Sequence, residues 1–205
     1  MDQIQNQPQN QSPQDPRGGA AKSLGLFIWD LLKILIISFI IIIPIRYYVA
    51  QPFIVQGSSM EPNFHTGEYL IVDEITYHTS QPQRGDIIVF KFPKDTTQYF
   101  IKRIIGLPGE TVQVKNGRVI VFNQQHPQGF TLDENYLPPN TPTLGSDQKV
   151  TLGSDEFFVL GDNRGASSDS RFWGSVPRSD VVGRVLFRAY PFQTFTEFGH
   201  IQYNS

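Results

Sequence analysis

Cysteine is absent from the 205 residues. That one absence excludes disulfides, thiolate metal centres and cysteine nucleophiles together. A charge surplus is also missing, since 17 basic against 19 acidic side chains leave a formal net charge of −2. Nucleic-acid phosphates are gripped through a basic surplus, so nucleic acid is not expected as a partner. Neither G-x-G-x-x-G nor G-x-x-x-x-G-K-[ST] occurs, which leaves phosphate-cradling loops without support. The four histidines (His65, His78, His126 and His200) are scattered, with no H-E-x-x-H and no pair at ligand spacing. No metal and no organic cofactor is therefore expected. No serine sits in a G-x-S-x-G elbow either, so a Ser-His-Asp triad has little to stand on.

What is present divides into three unequal parts. Residues 1–22 are a Gln/Asn/Pro tract with almost nothing to bury, expected to be a disordered tail. Residues 23–49 invert that character, and within 34–45 Ser38 is the one polar side chain. The stretch 24–45 is long enough to cross a bilayer as a helix. Asp30 and Lys33 interrupt its first part and are expected near the interface, where lysine can snorkel. Trp29, Tyr47 and Tyr48 flank it as an aromatic belt does. A cleaved leader fits less well, because an exit after Ala50 would put bulky Tyr48 at the −3 position. Arg17, Lys22 and Lys33 on one side against Arg46 on the other lean towards a cytoplasmic N-terminus.

Residues 50–205 read as a mainly β, antiparallel domain hung from this single helix. Short runs rich in Val, Ile, Phe and Tyr occupy 69–74, 86–92, 98–105, 110–114, 118–122, 156–160 and 181–189. Gly, Pro and Asn punctuate them. The segment Lys115-Asn116-Gly117-Arg118 predicts a two-residue hairpin turn with positive φ at both central positions. About 111–158 forms a smaller β-ribbon or loop excursion, with 123–150 its polar, proline-rich part.

Three segments carry candidate chemistry. In a strand over 98–105, alternation puts Phe100, Lys102 and Ile104 on one face, with Arg103 on the other beside Ile101 and Ile105. A lysine between Phe and Ile is desolvated, which lowers its pKa and lets the neutral amine act as a general base. Ser59 lies in a Gly-Ser-Ser-Met turn, where a hydroxyl and a backbone N–H can be presented together as nucleophile and oxyanion donor. In the segment 161–171, Asp162 and Asn163 suit an Asx turn and Asp169 with Arg171 a charged clamp. Either Ser167 or Ser168 can donate to the lysine amine and orient it.

In order, the chain reads S-M-E-P at 59–62, R-G-D-I-I-V-F at 84–90, K-R-I-I-G-L-P-G-E at 102–110 and G-D-N-R-G-A-S-S-D-S-R-F-W-G at 161–174. Following an N-terminal anchor, these four motifs resemble those of the type I signal peptidases, over roughly residues 53–183. The resemblance implies a membrane-bound serine endopeptidase with a Ser/Lys dyad that removes signal peptides from exported preproteins. Ser59 would be the nucleophile, Lys102 the general base, Ser167 the serine that hydrogen-bonds the lysine, and Asp169 and Arg171 the supporting pair. Strands 52–56 and 99–101 would bind substrate as an added β-strand, Phe53, Val55, Tyr99, Phe100 and Ile101 lining the pockets for small −1 and −3 residues. The expected setting is the plasma or inner membrane, with the catalytic domain extracytoplasmic (periplasm or thylakoid lumen). There a monomer would act near the secretion translocon and against the bilayer. Two departures stand out: Gly57 where some members carry a serine that completes the oxyanion hole, and Gly165-Ala166 where a polar pair is usual.

Other readings are a narrow-specificity Ser/Lys relative, an idle membrane-tethered β module that binds extended segments, and a self-cleaving regulator resembling the LexA repressor. The last needs a soluble DNA-binding head, and residues 1–50 supply a polar tail and an apolar run instead.

Overall fold

The computed structural model describes residues 17–44 and 50–191. The chain divides into two compact units, Met1–Ile45 and Arg46–Ser205. The first contains helix α1, Arg17–Pro44. Its stretch Gly25–Ile43 is long and apolar enough to cross a membrane. The helix starts at Arg17, inside the tract that composition assigns to the tail. Past Pro16 the segment Arg-Gly-Gly-Ala-Ala-Lys contains no further proline, so nothing blocks the helix from running back to Arg17, through Gly18 and Gly19 despite their poor propensity. Residues 1–16 of the expected tail, and Arg46, Tyr47 and Tyr48, lie outside the described residues. Lys33 Nζ binds Asp30 Oδ1 at 3.1 Å one turn away, so each charge in the apolar run has the other as partner.

The second unit is built from antiparallel strands in two sheets. Strands β1 (Ala50–Ile54), β2 (Tyr69–Asp73), β3 (Ile87–Phe92), β4 (Asp95–Gly106), β9 (Glu156–Leu160), β10 (Val176–Pro177) and β11 (Val181–Tyr190) make a seven-stranded sheet. Its order is β1-β2-β11-β3-β4-β9-β10. Strands β5 (Thr111–Lys115), β6 (Arg118–Phe122), β7 (Phe130–Thr131) and β8 (Lys149–Thr151) make the second sheet, ordered β7-β6-β5-β8. The excursion is thus a sheet of its own. Its two outer strands, β7 and β8, have runs too short to be seen as strands by periodicity.

The hairpin between β5 and β6 turns on Asn116 (φ 52°) and Gly117 (φ 77°), the two positive φ values that the Asn-Gly pair predicts. Two single-turn helices, α2 (Thr76–Thr79) and α3 (Ser170–Trp173), carry no sustained period and are invisible in the sequence pattern. Helix α3 is started by Asp169, whose side chain accepts from the Arg171 N–H.

Three apolar clusters lie along the large sheet. One joins Val55, Met60, Phe64, Leu70 and Val89 beneath the turn that follows β1. Another packs Ile88, Phe90, Ile104, Phe157 and Val159 through the sheet centre. The third ties Ile105, Phe158 and Leu160 to Val112, Val119 and Val121 of the small sheet. Antiparallel pairing places Ile88 opposite Lys102 and Val89 opposite Ile101, so the lysine strand is held in register by buried aliphatic neighbours.

Candidate active site

The site is assembled where the turn after β1, the middle of β4 and the segment after β9 meet. Past β1 the pairing continues for one residue: the Val55 N–H donates to the Glu68 carbonyl and the Val55 carbonyl accepts from the Gly67 N–H, both at 2.9 Å. The chain then turns at Gly57, whose φ of +88° suits glycine, and carries Ser59 round to face β4. Met60, buried directly after it, pins the turn to the core.

Lys102 rises from β4 with 4% of its surface exposed. Its Nζ lies 2.8 Å from Ser59 Oγ and donates to the Ile101 carbonyl, also at 2.8 Å. The amine also sits over the Phe100 ring, 5.3 Å from the centroid. Phe100 and Ile104 share one apolar cluster, while Arg103 on the opposite face reaches Asp162. That is the alternation expected of a strand. Burial lowers the Lys102 pKa to about 8 against an ordinary 10.5, with the Asp169 and Asp162 carboxylates pulling it back upward. A hydroxyl beside a buried amine that is half neutral near pH 8 is a nucleophile–base arrangement.

The third segment braces the other two. Arg171 grips Asp169 through Nε to Oδ1 at 2.7 Å and Nη2 to Oδ2 at 2.8 Å, and donates to the Ser167 carbonyl at 3.4 Å. Asp169 Oδ2 also accepts from the Gly161 N–H at 3.1 Å. Asn163 holds the serine turn directly, its N–H donating to the Ser59 carbonyl at 3.0 Å and its Nδ2 to the Ser58 carbonyl at 3.1 Å. Gly161 has no room for a side chain, because a Cβ there would meet the Ser167 side chain and the Ser59 carbonyl at less than contact distance.

A groove of about 620 Å³ opens beside the serine, lined by Phe53, Val55, Leu70, Val89, Tyr99, Phe100, Ile101 and Ala166 among others. Phe53 and Tyr99 meet across it with ring centroids 5.7 Å apart. Its two long walls are β1 and the first half of β4. Strand β1 pairs with β2 alone, and β9 meets β4 only from Arg103 onward, so both walls have peptide edges without a strand partner among the described residues.

A family model described as signal peptidase, peptidase S26, matches residues 28–190. The chain belongs to the signal peptidase family. The signal peptidase I of Leptolyngbya laminosa is 41% identical over 175 residues, 82% of this chain and 82% of that one. A probable signal peptidase I-1 from Synechocystis sp. is 37% identical over 184 residues, 84% and 88% of the two chains. A solved signal peptidase I from Enterococcus faecalis V583 is 34% identical, covers 51% of this chain and 97% of its own, and superposes with a TM-score of 0.42. Family membership makes this chain a peptidase, a hydrolase of peptide bonds.

Within this signal peptidase-family chain the structure brings some of the expected site residues into contact and leaves others apart. Ser59 and Lys102 are in contact. Asp169 and Arg171 form the expected clamp, but they hold the Gly161–Ser167 turn rather than the amine. Ser167 is the correction: its buried Oγ has no hydrogen-bond partner among the described residues, and the expected bond to Lys102 is not made. The amine's partners are Ser59 Oγ and the Ile101 carbonyl, while the Ser167 side chain is turned against the Gly161 backbone. Ser168 is exposed at the groove wall. Phe53, Val55, Tyr99, Phe100 and Ile101 all line the groove.

Sequence reasoning missed Asn63, which donates to Asp162 Oδ2 at 2.8 Å, and the pairing of Arg103 with Asp162 at 2.6 Å. Arg103 and Asp162 both fall inside recognisable motifs, yet nothing in their spacing of 59 residues says that they meet.

Proposed function

We propose that this chain is a membrane-anchored serine endopeptidase that removes N-terminal signal peptides from exported preproteins with a Ser59–Lys102 dyad. Helix α1 is the anchor, its N-terminus is cytoplasmic, and the β domain works on the extracytoplasmic side. The observation that carries this reading is the 2.8 Å approach of a buried lysine amine to a serine hydroxyl at the head of an apolar groove.

The mechanism follows from that geometry. Neutral Lys102 Nζ takes the proton of Ser59 Oγ–H as the oxygen attacks the scissile carbonyl carbon. The negative charge that develops on the substrate oxygen is met by the backbone N–H of Ser59, with Gly57 contributing no side-chain hydroxyl. Collapse of the tetrahedral species breaks the C–N bond, and the protonated lysine returns its proton to the leaving amine. Water then attacks the acyl-serine with Lys102 again as base, releasing the signal-peptide carboxylate and restoring Ser59 Oγ–H.

Substrate enters as an extended strand between β1 and β4, whose peptide edges can supply ladder hydrogen bonds. The walls built by Phe53, Val55, Leu70, Val89 and Ile101 leave shallow apolar hollows, which suit small side chains beside the scissile bond. The test is incubation of the full chain in detergent with an exported preprotein bearing an A-x-A site, beside Ser59→Ala, with product masses read by mass spectrometry. Cleavage after the second alanine, lost in Ser59→Ala, is expected. No cleavage of several preproteins by folded protein would point instead to a narrow-specificity relative or an idle binding module.

A further inference from the structure

The excursion reaches back onto the large sheet through residues 133–136, which fall in none of the recognisable motifs. Tyr136 there touches all three chain segments that build the site. Its carbonyl accepts from Asn63 Nδ2 at 3.1 Å, in the turn that carries Ser59. The guanidinium of Arg103, the residue after Lys102, stands 4.1 Å from the centre of its ring. Its hydroxyl accepts from Arg164 Nη2 at 2.9 Å, in the turn that carries Ser167, and donates to Glu134 Oε1 at 2.7 Å. Glu134 completes the contact by accepting from both terminal nitrogens of Arg164, at 2.9 and 2.6 Å. The three anchored residues are themselves joined. Asn63 and Arg103 share the Asp162 carboxylate, the Arg164 N–H donates to the Asp162 carbonyl at 3.0 Å, and the adjacent Asn163 holds the Ser59 carbonyl, also at 3.0 Å.

We infer that Tyr136 is a positioning residue for the Ser59–Lys102 pair, clamping the serine turn, the lysine strand and the Ser167 turn at one point. This rests on the endopeptidase reading. Proton transfer from Oγ to Nζ requires a separation of about 2.6–3.2 Å, and the two atoms belong to segments with no backbone ladder between them. Asn63 and Arg103 fix the two segments against a common carboxylate. Tyr136 stops either from swinging by capping both, with its carbonyl on one and its ring on the other. A displacement of about 1 Å in such a pair lowers the rate by roughly 100-fold. Tyr136 is not among the groove's lining residues, so its loss leaves substrate binding in place.

The experiment measures kcat and KM separately for the full chain in detergent on the same preprotein, per folded molecule as judged by circular dichroism. Tyr136→Leu keeps an apolar side chain but loses the ring face and the hydroxyl. Its kcat is expected to fall by roughly 100-fold with KM within about twofold. Tyr136→Phe keeps the ring over Arg103 and is expected to recover most of that loss. A Tyr136→Leu protein with lowered melting temperature but wild-type kcat overturns the inference, because it would show a purely structural role. A raised KM at unchanged kcat overturns it equally. Where Tyr136→Leu does not fold, Tyr136→Met decides: it also takes the ring away from Arg103 but fills the space with a longer, adaptable apolar side chain, and an unchanged kcat refutes the clamp. Wild-type protein that cleaves no better than Ser59→Ala removes the endopeptidase reading itself, a signature distinct from wild-type cleavage matched by Tyr136→Leu.

Discussion

The pH dependence of cleavage follows from the burial of one amine. Lys102 titrates near pH 8 instead of at its ordinary 10.5, burial being the first cause. At pH 8 about half of the molecules then hold the neutral base, against about 0.3% for an unperturbed lysine, a gain of about 160-fold in competent enzyme. The sign is set by the direction of the shift: a depressed amine pKa makes activity rise with pH and level off above it. The neutral fraction climbs about tenfold between pH 6 and 7, about fivefold between 7 and 8, and by only about a tenth between 9 and 10. Initial rates on a preprotein at saturating concentration, followed by gel or mass spectrometry across this range, should trace that curve. Lys102→Arg keeps a cation in the same pocket that holds its proton at every working pH, and should abolish cleavage without unfolding the domain. A rate flat from pH 6 to 9, or an active Lys102→Arg protein, would refute the general-base assignment.

Two further outcomes are expected. Arg103→Met strips Asp162 of the guanidinium that neutralises it in a site where the pair's side chains are 4% and 0% exposed, and should cost about 3–5 kcal/mol in chemical unfolding; a loss under 1 kcal/mol would mean that water replaces the arginine. Gly161→Ala puts a methyl group against the Ser59 carbonyl and the Ser167 side chain, and should lower kcat far more than it lowers the melting temperature; proportionate losses in both would show that the turn relaxes as a unit.

Much of the fold was legible because it is written in local periods. The run 156–160 is the strand Glu156–Leu160 itself, and 118–122 and 181–189 match strands to within a residue. These stretches alternate or sit wholly in the core, and glycine, proline or asparagine stops them. Elements shorter than a period, α2, α3, β7 and β8, were not legible, since a two- to four-residue element has no repeat to read. The backward extension of α1 to Arg17 was hidden by the polar composition of the tract before it.

The amino-acid sequence by itself determined the parts: an apolar helix, a β domain, a hydroxyl in a tight turn and a lysine between two apolar residues on one strand face. The motifs pointed to their family. The tertiary structure alone decided how these parts meet. Ser59 and Lys102 are 43 residues apart, and their 2.8 Å contact exists because antiparallel register sets β4 where the turn after β1 arrives. The depressed lysine pKa is decided there too, because desolvation sums over neighbours from several elements and no window of sequence contains them. The Ser167 hydroxyl shows the reverse case. Its motif places it near the amine, but the packing against Gly161 determines which way it faces, and in this structure it faces away from hydrogen bonding.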